Sequence, residues 1–219
     1  MINPWDKIFV EDFETALKIA DENYKTASNK FDLRARGLIK LLQANYSESL
    51  KDFKLLKEKE TESNTISDDT YLYIGLCYYA LDMLDDAVEF FESPVKKPSA
   101  FKYTTDISLP PAILYFFSLK TNNAKALSIA EKVLNKKRTP IAEFLTDKVS
   151  EKRFEDEFVI SELENRRKCR LEFYKAIKAP KNKDNGKYIQ HIQSCIKLKG
   201  LFLEFEYYIS KVELEKINR

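Results

Sequence analysis

Apolar residues return every three to four positions along most of this 219-residue chain, a period that predicts helices. The clearest stretch begins at Asp68, where Tyr71, Ile74, Tyr78 and Leu81 fall on one helical face and Asp68 or Asp69 stands ready to cap the start. A break at Asp82 leads into a second run with Leu84, Ala87, Val88 and Phe91 on one side, which Pro94 is expected to stop. Upstream, Phe13, Ala16 and Ala20 mark one amphipathic run. Tyr46, Ser49 and Phe53 mark another, behind a helix expected over residues 31–42. Downstream, Ile113, Leu114 and Phe117 precede a run holding Ala126 and Ala130. The small residues Ala16, Ser49, Ala87 and Ala126 recur at a nearly even spacing, so the chain reads as a repeat of helical pairs.

Within the clearest pair, Tyr71, Ile74, Gly75, Tyr78, Leu84, Ala87 and Phe91 stand in an order that resembles the tetratricopeptide repeat. Small residues at Gly75 and Ala87 would let two helix backbones approach while aromatic rings fill the surrounding space. Asp82 replaces the family's usual turn glycine and Pro94 a usual alanine, and Arg36 and Lys40 occupy apolar positions of the upstream copy, where Gly37 matches Gly75. The resemblance covers about residues 5–140 and implies an all-α fold, a solenoid of antiparallel helical hairpins. Residues 141–219 are expected to add a helical hairpin that caps it. It further implies a concave groove lined by Arg34, Leu38, Leu41, Leu42, Leu72, Leu76, Tyr79 and Tyr115. Members that clamp a peptide's terminal carboxylate use Lys and Asn where Leu72 and Leu76 stand. The implied occupant is therefore an apolar or amphipathic segment, either of a partner protein or of this chain itself, from the C-terminal hairpin or the Pro94–Pro111 loop.

Past Pro140 the repeat signal fades. A short helix and then a long one from Glu151 are expected up to Ala179, followed by a turn over residues 179–186 and a single long helix over 187–216. The stretch from Pro94 to Pro111 reads as a long ordered loop between hairpins. Between residues 165 and 187 nine cations, led by Arg166, Arg167, Lys168 and Arg170, face only Glu172 and Asp184, for a local charge of +7. Such a stretch can hold an acidic protein surface; a solvated helix end has the same composition.

Composition narrows the chemistry. A charged fraction of 33% with net charge +2 carries no global bias toward nucleic acid or membrane. Cys77, Cys169 and Cys195 lack paired spacing, so they read as packed thiols of a reducing compartment, and the start of the chain carries no secretory pattern; both point to the cytoplasm. The one histidine, His191, has no neighbouring ligand at metal spacing, and no phosphate-binding glycine loop, zinc-protease or nucleophile-elbow motif occurs. The expectation is a protein without catalysis, cofactor or metal that binds a protein or peptide partner. A toxin-neutralising immunity protein or a chaperone are two such roles. The alternatives are a regulator that senses a peptide or RNA and, last, a helical enzyme working through carboxylates.

Overall fold

In the computed structural model the described residues are 2–96, 107–158, 164–179, 185–198, 201 and 204–218, and the statements below concern these. They form thirteen helices and no strand. Two compact units divide the chain, the first running to Ala87 and the second starting at Val88. The boundary expected at residue 140 thus falls inside the second unit. The first unit contains α1 (Trp5–Ile8), α2 (Phe13–Ala27), α3 (Lys30–Leu42), α4 (Tyr46–Glu62), α5 (Asp68–Ala80) and the start of α6 (Leu84–Lys96). The remainder of α6 opens the second unit, followed by α7 (Leu109–Thr121), α8 (Ala124–Leu134), α9 (Pro140–Leu145), α10 (Glu151–Phe158), α11 (Glu164–Lys178), α12 (Asn185–Ile196) and α13 (Phe205–Ile217).

The hairpin turns explain why the helices end where they do. At the ends of α3, α5 and α7, the residues Ala44, Asp82 and Asn122 take positive φ of 58°, 61° and 52°. The amide that follows each of them reaches back over the last helical turn, Asn45 to the carbonyl of Lys40 (2.8 Å), Met83 to Tyr78 (2.9 Å) and Asn123 to Ser118 (3.0 Å), which satisfies carbonyls the helix would otherwise orphan. The next helix then starts at once, with Asn123 capping α8 by accepting from the Ala126 amide at 3.0 Å. Helices α4, α6 and α8 accordingly begin at nearly even spacing, at Tyr46, Leu84 and Ala124. Ala44 carries a Cβ in a conformation that glycine tolerates best. Ala44→Gly is therefore expected to raise stability by about 0.5–1 kcal/mol after glycine's entropic cost is counted, and a urea titration checks it.

Helices α3 and α4 show how small and aromatic residues build one hairpin. A Cβ added at Gly37 would lie 3.0–3.1 Å from the Phe53 ring, so the glycine is what lets that ring sit against the α3 backbone. Ser49 Oγ donates to the Gly37 carbonyl at 2.8 Å across the same seam. Arg36 and Lys40, one turn apart on α3, both reach the buried Asp52 of α4, at 2.8 and 2.7 Å. Arg36 also meets Asp21 of α2 at 3.3 Å and lies over the Tyr24 ring. The two cations that break the apolar pattern thus bind α3 to its neighbours by charge. Gly75 and Ala87 are both buried, in line with their small size.

The second unit corrects five sequence expectations. Helix α6 continues through Pro94 to Lys96, because in a last turn proline forfeits one hydrogen bond and ends nothing. Pro110 and Pro111 open α7, where a missing N–H costs little; residues 97–106 of the expected loop lie outside the described residues. The expected turn yields Asn185 and Gly186 to the start of α12, and its residues 180–184 also lie outside. The long helix over 187–216 is two: α12 ends at Ile196, and α13 begins after Glu204, whose φ and ψ of −92° and 119° are extended. Helices α11, α12 and α13 pack on one another, a three-helix arrangement in place of a hairpin.

Candidate functional site

The positions read as a groove are mostly covered. Leu38, Leu41, Leu72, Leu76, Tyr79 and Tyr115 are each 3% exposed or less, so a docked partner would have almost nothing of them to touch. Leu42 is intermediate. Arg34 is engaged by Glu60 at 2.7 Å and by Asp69 at 3.7 Å; burial raises the Asp69 pKa, Arg34 opposing and Glu60 assisting. Tyr115 belongs to the second unit.

The basic stretch is neutralised by residues that counting along the chain cannot find. Arg166 pairs with Glu204, and Arg170 with Glu206 at 3.1 Å, both carboxylates coming from the start of α13. Tyr174 Oη also donates to Glu206 at 3.1 Å. Burial raises the Glu206 pKa, while Arg170, the Tyr174 hydroxyl and a backbone amide oppose the shift. Lys168 pairs with Glu164 one turn earlier, and Arg167 is half-buried. Arg166, Lys168 and Arg170 thus each have a carboxylate partner, although Arg166 and Lys168 stay exposed, and Lys181 and Lys183 lie outside the described residues.

The cysteines also depart from expectation. Cys169 of α11 and Cys195 of α12 form a disulfide with Cα atoms 4.4 Å apart, both fully buried. Proximity of α11 and α12, invisible in the 26-residue separation, is what joins them. The cysteine count therefore ceases to argue for a reducing compartment. Cys77 is free and buried, as read; burial pushes its thiol up to about 12 despite a 3.5 Å contact to Ser49 Oγ, which keeps it protonated and inert near neutral pH.

Three further features emerge that periodicity does not signal. A polar cavity of about 480 Å³ lies among α9, α11, α12 and the start of α10. Lys148, Lys175, Lys178, Lys187 and His191 all line it. Secondly, Lys120 of α7 pairs with the buried Glu213 of α13 and lies 4.5 Å from the Tyr188 ring centre. Burial lowers the Lys120 pKa to about 8 and raises that of Glu213 to about 7. Thirdly, large apolar side chains stand in solvent near the beginning of the first unit: Ile2 and Val10 (68% exposed each), Phe9 (55%) and Phe31 (53%). Phe31 leans on Trp5 at 5.8 Å, and with Ile2 and Pro4 it borders a shallow cavity of about 520 Å³.

Among the described residues no helix is long and apolar enough to cross a membrane, and no three His, Cys, Asp or Glu side chains gather as metal ligands would. The geometry defines an all-α protein whose consecutive helices pack upon one another. No protein-family model and no curated protein matches the sequence.

Proposed function

We propose that this chain is a non-catalytic interaction protein that binds a partner protein through the apolar surface bordered by Ile2, Phe9, Val10 and Phe31. The observation that carries this reading is the exposure of those four large side chains in and beside the opening helices of one unit, with Ile2 and Phe31 bordering one shallow cavity, since apolar surface left in water marks contact sites. The helical-hairpin construction supports it, because such proteins offer rigid faces for other chains. Neutralisation of a toxin and chaperoning of a client are two roles such a face would serve. The acidic-partner reading loses ground, because Arg166 and Arg170 already hold Glu204 and Glu206.

Co-purification with the tagged chain tests this. The wild type is expected to recover a specific protein, and Phe9→Glu with Phe31→Glu to lose it. Both side chains are exposed, so the variant should keep its helical circular dichroism. Recovery should change little between about 0.05 and about 0.5 M salt, since apolar burial is weakly screened. Retention by that variant, with loss on reversing Arg166, Arg167 and Lys168 to glutamate, would return the interface to the basic stretch.

A further inference from the structure

The lysine-rich cavity of the second unit has a chemistry that the apolar surface does not share. Its cations come from three separate segments: Lys148 from the connection between α9 and α10, Lys175 and Lys178 from one face of α11, and Lys187 with His191 one turn apart on α12. Among the described residues two carboxylates, Asp147 and Glu151, line it against four lysines. The Lys178 ammonium is held by the Phe144 carbonyl at 2.7 Å and by Asp147 at 2.9 Å. Lys175 is held by Glu151 at 3.0 Å and by Glu155. His191 Nδ1 meets Glu172 at 2.7 Å, so Nε2 is the ring nitrogen with capacity left.

We propose that this cavity binds a small polyanion, a ligand carrying phosphate or clustered carboxylate groups, which enters by taking the places of Asp147 and Glu151. The exposures show which partners can move. The Lys175 and Lys178 side chains are 10% and 14% exposed, whereas Asp147 and Glu151 are 54% and 58% exposed. The Lys175 and Lys178 ammoniums are fixed by their surroundings, and the two more exposed carboxylates have room to turn into water. An ammonium fixed and partly desolvated holds an oxyanion more strongly than one free in solution. The volume lies in the range of small-ligand sites, and the mainly polar lining favours a compact charged ligand over one with a large apolar body.

Isothermal titration of the full chain at low ionic strength, with inorganic pyrophosphate and with citrate as probes, tests the site. One-to-one binding of pyrophosphate alone assigns phosphate, of citrate alone clustered carboxylates, and of both the shared polyanion chemistry. Lys178→Gln and Lys187→Gln are each expected to weaken binding about tenfold, while Lys54→Gln, on α4 of the other unit, leaves it unchanged. Asp147→Asn with Glu151→Gln is expected to strengthen binding about fivefold, because the ligand then displaces no charge. Lys187 is exposed, so its variant stays informative even if Lys178→Gln disturbs folding. Failure of both probes to bind, or binding indifferent to Lys187→Gln and to the paired carboxylate variant, would overturn the proposal. Neither outcome bears on the apolar surface and its partner.

Discussion

Replacing Lys120 by methionine is expected to destabilise the protein by about 1–2 kcal/mol more at pH 8 than at pH 5, because it leaves the buried Glu213 carboxylate without its nearest counter-charge. Lys120 holds Oε1 of Glu213, Oε2 has no hydrogen-bond partner among the described residues, and the side chain is 3% exposed. The pH dependence makes the effect recognisable. Glu213 has its pKa raised by burial to about 7, above the roughly 4.3 of an unfolded glutamate. The native state therefore holds the proton more tightly than the unfolded chain does. The stability linked to this proton is complete below about pH 4 and is lost as pH rises through 7. In Lys120→Met only the Lys216 ammonium remains to favour the ionised form, so the deficit should be smaller at pH 5 than at pH 8. Glu213→Gln should cost less, since the Lys120 side chain is 28% exposed and its ammonium can turn to water. The double variant Lys120→Met, Glu213→Leu should lie close to wild type. Urea titrations at the two pH values measure all three, and an equal deficit at pH 5 and pH 8 would show that the loss comes from packing on Phe116 and Tyr188, whose rings Lys120 covers.

Phe53→Ala is expected to cost about 3–5 kcal/mol, the range for emptying an aromatic site in a packed core. Phe53 is fully buried; its ring closes on Gly37 and stacks on Tyr73 with centres 5.0 Å apart. Gly37→Ala should itself destabilise by about 1–3 kcal/mol, because its methyl would press on that ring. The two changes share one space, so in Gly37→Ala, Phe53→Leu the losses should fall short of their sum, which a double-mutant cycle in urea resolves. Strict additivity would mean that the Gly37–Phe53 contact is not what sets the α3–α4 spacing.

The helices were legible because one face of each must be apolar, and that leaves a period in the sequence. Ala87, Phe91 and Ala126 stand fully buried where the repeat pattern places them. Turn positions were half legible. Asp82 stands in a glycine's place and Asn122 is a residue type that takes the left-handed conformation readily, yet nothing in Ala44 announces the same conformation. The division between α12 and α13 escaped because Leu201, Phe205 and Tyr208 extend the apolar stripe across it. Charge was the least legible property. Arg166 and Arg170 look free when only near neighbours are counted, and their partners lie 38 and 36 residues away. Lys120 and Glu213 are separated by 93 residues. Pairing over such distances is decided by which helices meet, and periodicity does not carry that information. How open the groove is was illegible for a related reason: position in a repeat says which side chains share a face, while the exposure of that face depends on the rest of the chain.

The bond between Cys169 and Cys195 makes the chain something other than a line. Residues 169–195 form a closed covalent ring that includes most of α11 and all but the last residue of α12. A protease that cuts once inside this ring yields no separate fragments: the two pieces run as a single species until a reductant reaches sulfurs that the fold buries completely. A cut before Cys169 or after Cys195 releases its piece at once under denaturing conditions. Comparing digests with and without dithiothreitol therefore maps each cut as inside or outside the ring, and the same comparison reports what fraction of the protein in a given cellular compartment carries the bond.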